Sequence, residues 1–513
     1  MTNNDIVQKL WNLCDVLRDD GINYSNYVTE LVLLLFIKME YENTEAGILK
    51  EHKLPEGCRW TDLTGKSGII LLNEYRRILL TLSTGKEMQT DSKDASKTIE
   101  KEVVTDRLIL AIYAEAQTSL REPRHLEQLI KSLDNIDWFS AQKDGLGDLY
   151  EGLLEKNASE TKSGAGQYFT PRSLIDCIVR CMKPQPGEVI QDPAAGTAGF
   201  LVAADAHMRE QTDDYIDLPI KEANFQKTKA FVGLELVPNT RRLALMNCLL
   251  HGMEGDDEGV VHLGNTLGLP GANLSKADLI LTNPPFGTAK GGGGPTRDDF
   301  TFKTSNKQLA FLQHIYRSLK PGGRAAVVLP DNVLFEEGVG ADIRSDLMDK
   351  CNLHTILRLP TGIFYAQGVK TNVLFFSKGT AKKPKQEENC TENVWFYDLR
   401  TNMPSFGKRT VFGEQHLKPF EKAFGKKSDG TSKRVEETEE GSGEESRFRK
   451  FTREDIEQRG DNLDISWLKD EDATSAEDLE EPEVIAAMIR EKLGEALEEI
   501  DVLSELLEVV DVE

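Results

Sequence analysis

The first 156 residues carry the hydrophobic spacing of helices. Four apolar residues lie three or four positions apart, on one helix face: Ile6, Leu10, Leu13 and Leu17. Similar spacing predicts helices at 27–39, 105–120 and 124–156, whereas the polar run at 84–102 predicts a mobile loop. We therefore expect an all-helical N-terminal domain over residues 1–156.

The pattern changes after the small, polar linker at 157–167. Short apolar runs that predict strands now alternate with helical segments: GEVIQDP, AFVGLEL, GVVHLGN, ADLILTN and RAAVVLP, then a closing pair, TILRLP and TNVLFFSK. Such alternation favours an α/β fold with a mostly parallel sheet covered by helices on both faces. The predicted boundaries are 164–425 for this domain, 426–481 for a charged linker and connecting segment, and 482–513 for an acidic amphipathic helix.

Charge is unevenly distributed along the chain. The net charge is −24, and residues 470–513 alone hold 17 Asp and Glu against 2 Lys and Arg, which leaves −9 for the remaining residues. Phosphate contacts need Lys and Arg, so this excess of acidic residues argues against the chain binding DNA alone. It leaves room for a local basic surface on the body of the protein.

The sequence predicts neither a signal peptide nor a membrane helix. The longest apolar run, Leu31 to Ile37, is far shorter than the ~20 residues that a membrane helix needs. The seven cysteines form no CxxC pair, which favours buried thiols in a reducing compartment over a metal site or disulfides. We therefore expect a cytoplasmic protein with no metal site and no membrane partner.

Two of the predicted strands end in residues suited to a nucleoside cofactor. Asp192 ends the first strand, and Gly196 and Gly199 let the backbone of the following turn come close to a ligand. Glu235 ends the next strand, where an acid can accept both ribose hydroxyls. The alternatives are an ordinary tight turn and a solvated capping acid. Glu235 lies 36 residues beyond Gly199, and an insertion at 206–229 accounts for this long spacing.

A third strand ends in the sequence NPPF. Two prolines fix φ, so the Asn283 amide oxygen and the Pro284 carbonyl can point into the cleft as two rigid acceptors. Two acceptors suit one NH2 group, and Phe286 offers a flat apolar face to a planar ring. The alternative is a strand-ending turn with an aromatic plug. The glycine run at 291–294 is expected to let the loop down to Asn306 order when a base arrives.

Together these motifs resemble a known family. GAGQYFTPR (164–172), DPAAGTAGF (192–200) and NPPF (283–286), in that order, resemble the amino-group DNA methyltransferases that use S-adenosylmethionine. The similarity is greatest to the methylating subunit of type I restriction-modification systems. Two further segments resemble that subunit: LGDLYEGLLEK (146–156) and LPTGIFYAQGVKTNVLFF (359–376). The resemblance covers most of residues 1–420. It implies a Rossmann-like methyltransferase sheet between the helical domain and a C-terminal helical tail, and adenine-N6 methylation of DNA.

The resemblance also implies roles for individual residues. The cofactor-binding set is Gln167, Tyr168, Phe169, Thr170, Pro171, Arg172, Asp192, Gly196, Thr197, Ala198, Gly199, Glu235 and Asn265. Within it, 167–172 and 197–199 would surround the methionine end, Glu235 the ribose and Asn265 the adenine. The catalytic set is Asn283, Pro284, Pro285 and Phe286, and Phe286 and Phe364 would stack on the target base. For Phe364 the alternative is an ordinary core aromatic.

The expected chemistry is methyl transfer to a weakly nucleophilic amine. Hydrogen bonds from its two hydrogens favour a more tetrahedral nitrogen and stabilise the positive charge that develops, each worth roughly 2.7–4 kcal/mol by analogy with oxyanion holes. The target base must leave the duplex to be reached. Cytosine-C5 methylation is disfavoured, since that chemistry usually needs a Pro-Cys pair and the chain has none.

The sequence also predicts partners. We find neither a basic target-reading region nor a P-loop motif. The resemblance therefore implies double-stranded DNA, a separate specificity subunit, a restriction (translocase and nuclease) subunit and a second copy of the chain in a two-to-one complex. The acidic helix at 482–510 is hypothesised to dock on the specificity subunit, the alternative being a solvated helix.

Two other functions compete with this one. A protein-glutamine amide methyltransferase also uses an Asn-Pro-Pro-aromatic loop on an NH2 group, and a non-catalytic cofactor-binding scaffold could keep the same fold. GQYFTPR and the helical N-terminal domain favour DNA over protein, and the intact set from Asn283 to Phe286 argues for catalysis.

Overall fold

The computed structural model describes residues 3–22, 26–47, 49, 51–90, 98–136, 138, 150–154, 156, 170–286, 295–364, 369–404, 406–407, 410–437, 441–442 and 445–469. Residues up to Ser466 form one compact unit, and Trp467–Glu513 belongs to a second. The predicted linker at 157–167, the glycine run at 291–294 and the acidic helix at 482–513 lie outside the described residues.

The N-terminal part is helical, as predicted. Its helices are α1 (Asn3–Asn12), α2 (Cys14–Asp19), α3 (Tyr27–Glu45), α4 (Trp60–Leu63), α5 (Gly68–Thr84), α6 (Arg107–Ile112) and α7 (Pro123–Asp134). The apolar run of α3 is buried, which makes that helix the centre of this part of the core. None of the helices among the described residues is long and apolar enough to cross a membrane.

The prediction of a loop at 84–102 was wrong in part. Strands β1 (Lys86–Thr90) and β2 (Thr98–Glu102) pair as an antiparallel hairpin within this helical region. Lys86 and Glu100 form an ion pair of 2.8 Å across it. The strands are polar along most of their length, so they lack the apolar alternation by which a strand is recognised in sequence.

A nine-stranded sheet forms the rest of the fold. Its strands are β3 (Ile190–Asp192), β4 (Phe231–Glu235), β5 (Val261–Leu263), β6 (Ala277–Thr282), β7 (Leu319–Pro330), β8 (Cys351–Arg358), β9 (Thr371–Lys378), β10 (Asn393–Asp398) and β11 (Phe448–Thr452). They lie in the order β11-β10-β8-β9-β7-β6-β3-β4-β5. β9 runs antiparallel to both of its neighbours and β11 to β10, while the other neighbours are parallel. The predicted, mostly parallel α/β sheet is therefore confirmed.

Helices connect and flank these strands. They are α8 (Arg172–Met182), α9 (Gly199–Gln211), α10 (Ile220–Thr228), α11 (Pro238–Leu250), α12 (Leu269–Ala272), α13 (Lys307–Ser318), α14 (Asn332–Phe335), α15 (Val339–Lys350), α16 (Glu414–Phe424) and α17 (Arg453–Glu457). Every residue of β9 is buried, as expected of a central strand in a sheet covered on both faces. The insertion at 206–229 contributes the end of α9 and the whole of α10.

The segment predicted as a charged linker is largely folded where the structure describes it. β11 adds an edge strand to the sheet, and Arg358 and Arg344 donate to the carbonyls of Ile465 and Asp461, each at 2.6 Å. Edge strands commonly carry charged side chains. The sequence of β11, FRKFT, therefore has the composition of a linker although it pairs as a strand.

The strand order places a switch point beside β3. The chain proceeds outward from β3 through β4 to β5, and then returns to lay β6 on the other side of β3. In such sheets, ligands bind outside the carboxyl ends of the strands at the point where the order reverses. Asp192, Glu235 and Asn283 stand at or directly after the ends of β3, β4 and β6, so the fold brings them to that edge.

Candidate active site

The turn after β3 has the backbone form of a ligand-binding turn. Gly196 has φ of 54° and Ala198 of 68°, both left-handed, just before α9 begins at Gly199. A methyl group added at Gly196 would meet no atom within 4 Å. Open space therefore borders the backbone at Gly196.

Glu235 ties this turn to the end of β4. One carboxylate oxygen accepts a hydrogen bond from the Gly196 amide at 3.0 Å, and the other accepts from the Val237 amide at 2.8 Å. Burial raises the pKa of Glu235, and the backbone hydrogen bonds oppose that rise. A carboxylate has about four acceptor positions. The remaining positions can accept from ligand hydroxyls, as the predicted ribose role requires.

Asp192 is fully buried beneath the same turn. Its carboxylate accepts from the Ala194 amide at 3.0 Å. Burial, together with the nearby charge of Glu235, raises the pKa of Asp192 to about 7. The carboxyl is therefore poised between its two forms near neutral pH, and a cation bound in the cleft would favour the charged one.

Asn265 follows β5 at the outer side of the cleft. Its side-chain oxygen accepts from the Leu267 amide at 2.9 Å, and the side chain is exposed. The next residue, Thr266, donates its hydroxyl hydrogen to the Pro193 carbonyl, which joins the β5 turn to the β3 turn. Leu236 and Leu263 next to these strand ends are large exposed apolar side chains that the sequence analysis did not single out.

Among the described residues, the side-chain amide of Asn283 is hydrogen-bonded through its nitrogen but not through its oxygen. Its nitrogen donates to the Thr170 hydroxyl at 2.9 Å. Its oxygen is buried and accepts from no other group among the described residues. Leaving a buried acceptor unpaired costs about 1–3 kcal/mol. A group that supplies a hydrogen to this oxygen would recover that cost.

Two aromatic rings meet beside this amide. The rings of Phe286 and Phe364 pack edge to face, with centroids 5.9 Å apart and planes at 75°. Phe364 is buried, whereas Phe286 is half-buried. The Pro285 carbonyl accepts a long hydrogen bond of 3.5 Å from Gln308 of α13. The two rings that the sequence predicts on different sides of a base therefore contact each other directly, with no space for a base between them.

A buried arginine, Arg297, anchors the start of the described segment 295–364. Arg297 pairs with Asp299 at 2.6 Å and donates to the Thr266 carbonyl at 3.3 Å and to Nδ1 of His314 at 2.6 Å. Burial, followed by the charge of Arg297, lowers the pKa of His314 to about 3. His314 is therefore neutral and can accept from the arginine. Arg297 therefore fixes its own segment against the turn after β5.

The sequence analysis missed a polar cluster, Glu151, Arg172 and Asn247, that is bonded to the turn at 196–198. We call this cluster the clasp. Glu151 pairs with Arg172, the first residue of α8, and accepts from the Asn247 amide nitrogen at 3.2 Å. The same nitrogen donates to the Thr197 carbonyl at 3.0 Å. Glu151 lies within the quoted LGDLYEGLLEK, but its partners are distant in sequence. Gln167, Tyr168 and Phe169, which the sequence also places at this end, lie outside the described residues.

Comparisons with known proteins identify the family. A model of the N-6 DNA methylase family matches residues 141–477, and a model of the HsdM N-terminal domain matches residues 6–133. The chain belongs to the N-6 DNA methylase family. It is similar to the methylase subunits of two type I restriction enzymes, EcoKI of Escherichia coli and StySPI of Salmonella potsdam. Each is 54% identical, with 98% of this chain and 95% of the relative covered.

Solved structures agree with this assignment. The EcoKI M protein, an enzyme of class EC 2.1.1.72, is 49% identical with a TM-score of 0.58, over 98% of this chain and 96% of that one. A chain from a study of complex assembly in a type I system is 26% identical with a TM-score of 0.67, over 99% of both chains. The methylase subunit is thus an adenine-N6 DNA methyltransferase of a type I restriction-modification system, as predicted, and not a protein-glutamine methyltransferase.

Proposed function

We propose that the cleft at the ends of β3, β4 and β6 is the active site, holding S-adenosylmethionine on one side and a flipped adenine on the other. The observation that carries this is the buried Asn283 oxygen, which has no partner among the described residues and opens the turn that carries Phe286. An adenine amine supplies the hydrogen that this oxygen lacks. The cofactor supplies an activated methyl group on a cationic sulfur.

On the cofactor side, the left-handed turn at 196–198 approaches the methionine end. Thr170, Pro171 and Arg172 border it at the start of α8. Glu235 accepts the ribose hydroxyls with its remaining lone pairs, and Asn265 meets the adenine. The carboxyl of Asp192, with its pKa raised to about 7, favours a cationic ligand as it ionises. Each of these groups suits the donors and charges of the proposed cofactor.

On the base side, Asn283 and the Pro284 carbonyl accept the two amine hydrogens. That arrangement holds the nitrogen lone pair toward the methyl group, and it stabilises the positive charge that develops on the nitrogen. Phe286 stacks on the base and Phe364 supports Phe286 from its edge. No strong base is required, because the methylated amine is acidic enough to lose a proton to water.

We infer that the subunit reaches double-stranded DNA through partners. A net charge of −24 disfavours binding to DNA by this chain alone, which supports a separate specificity subunit. A second methylase copy and a restriction subunit complete the proposed complex. All seven cysteines are free and buried, as suits a protein of the reducing cytoplasm.

Methyl transfer from labelled S-adenosylmethionine tests the proposal. The subunit is incubated with unmethylated DNA, with and without the specificity subunit, and the labelled base is identified. Label on adenine-N6 that requires the specificity subunit is expected. Absence of label with the complete complex would support the scaffold alternative instead.

Asn283→Ala tests the site itself. Loss of one preorganised contact in the transition state is expected to lower the methylation rate about 10²–10³-fold. Asn224→Ala is the matched control, because Asn224 is exposed on α10. Methylation by Asn283→Ala at the wild-type rate would refute the catalytic assignment.

A further inference from the structure

Thr170 joins the two sides of the cleft. It is 8% exposed, and its hydroxyl accepts from the Asn283 side chain across a separation of 113 residues. Pro171, which follows it, caps α8, and Arg172 is held by Glu151 and by Asp176 at 3.1 Å. The hydroxyl therefore projects from a segment that is fixed by its neighbours.

The direction of the Asn283 amide decides what the site can bind. With its nitrogen toward Thr170, the buried oxygen is left to accept from a donor such as the target amine. With the amide turned over, two N–H hydrogens would face the amine hydrogens, and donor would oppose donor. An alanine or a leucine at 283 would offer no acceptor at all, so a group that sets this direction acts on the reaction itself.

A threonine hydroxyl has one hydrogen to donate and lone pairs that accept. In the structure it uses a lone pair for Asn283, and no described residue takes its hydrogen. If that hydrogen is given to an anionic group, such as the carboxylate of the proposed cofactor, the hydroxyl can only accept. The amide nitrogen of Asn283 must then stay turned toward Thr170.

We propose that Thr170 is a positioning residue that orients the Asn283 amide for methyl transfer. The inference rests on the proposed function, because it needs Asn283 to accept from the target amine. It adds a role that contact with the cofactor alone would not give: Thr170 acts on the turnover rate through Asn283.

Thr170→Val removes the hydroxyl and keeps the shape of the side chain. In the complex with the specificity subunit, we expect kcat at saturating S-adenosylmethionine to fall roughly tenfold, the change that about 1.4 kcal/mol produces. Thr170→Ser restores the hydroxyl and should recover most of kcat. The cofactor Kd is measured by titration calorimetry without DNA. An effect on this Kd with kcat unchanged would overturn the proposal, since it would make Thr170 a cofactor contact only.

A double-mutant cycle isolates the link to Asn283. In an Asn283→Ala background, measured in single-turnover assays, Thr170→Val should change the rate less than about twofold, because its target is gone. Additive losses would overturn the proposal. Thr170→Ala provides a second hydroxyl-free variant should the valine variant fold poorly, as judged by its unfolding temperature. Full activity of Asn283→Ala alone is a different result, and it would refute the proposed function instead.

Discussion

The two sides of the cleft differ in how their polar groups are satisfied. On the cofactor side, Glu235 receives backbone hydrogen bonds from the turn after β3 and from its own turn, and Asp192 receives one from its own turn. On the base side, the Asn283 oxygen is buried and has no partner among the described residues, and Phe286 is only half-buried.

This difference indicates how each side of the cleft is arranged before its ligand binds. The cofactor side is built by the chain itself, so its shape costs little reorganisation when a ligand enters. Under the proposed function, the Asn283 oxygen has no partner among the described residues because its partner is the target amine of the DNA. The following changes should therefore act on one side and leave the other almost unaffected.

Of the changes that compare the two sides, Glu235→Gln is expected to have the largest effect. A glutamine has one acceptor oxygen, so its NH2 group would face either the Gly196 amide or the Val237 amide, donor against donor. Hydrogen bonds to charged groups contribute about 1.5–3 kcal/mol each, and we expect S-adenosylmethionine to bind roughly 100-fold more weakly. Titration calorimetry without DNA measures this Kd.

The control for this change is Glu222→Gln, an exposed acid on α10. Its cofactor Kd should equal that of the wild type. If Glu235→Gln bound the cofactor normally but lost methylation of DNA, the division of the cleft into two sides would be wrong.

Phe286→Ala should act on the base side. Stacking of a base on an aromatic ring is worth about 1–3 kcal/mol, so kcat/KM for DNA should fall roughly tenfold or more while the cofactor Kd stays unchanged. Phe225→Ala is the control, because Phe225 is also partly buried but lies on α10. Fluorescence of 2-aminopurine at the target position reports whether the base is held, and an unchanged signal would contradict the stacking role.

The sequence predicts the central strands of the sheet better than the edge formed by β11. The strands that became β4 and β6 are largely apolar runs, because both of their faces are covered. β11 and the hairpin of β1 and β2 were missed, since an edge strand and a polar ribbon need few apolar side chains. The spacing of apolar residues indicates which strands are buried. It does not reveal a strand that is held chiefly by backbone hydrogen bonds.

The residues of the candidate site also divide into those that the sequence predicts and those that only the structure shows. The strand-end residues Asp192, Glu235 and Asn283 could be found from sequence because each stands beside a strand or a turn with a recognisable pattern. The hydrogen bond from Asn283 to Thr170 and the contact of Phe286 with Phe364 join segments far apart in the chain. No local spacing encodes such pairs, so only the folded structure shows them.

A smaller, pH-dependent effect is expected from Asp192. Its pKa is raised to about 7, so the folded protein holds a proton that the unfolded chain loses near pH 4; its contribution to stability falls as pH rises between these values. Above pH 7 the carboxylate attracts the cationic cofactor. The Kd should therefore tighten roughly fivefold from pH 6 to pH 8. Asp192→Asn should flatten this profile, and an equally steep profile in that variant would exclude Asp192.

The smallest effect is expected from Glu151→Gln in the clasp behind the cofactor turn. Glutamine retains an oxygen for Asn247 but loses the charge that pairs with Arg172. Because this pair is partly exposed, we expect the free energy of unfolding to fall by only about 1 kcal/mol. The control is Glu254→Gln, an exposed acid.

The clasp reaches the cofactor only indirectly, through the hydrogen bond from Asn247 to the Thr197 carbonyl at 3.0 Å. The cofactor Kd should therefore weaken about twofold, in keeping with a loss of under 1 kcal/mol. Denaturant unfolding and calorimetry measure the two quantities on the same protein. A Kd that weakened as much as in Glu235→Gln would show that the cofactor side depends on the N-terminal segment for its shape, and not on its own turns.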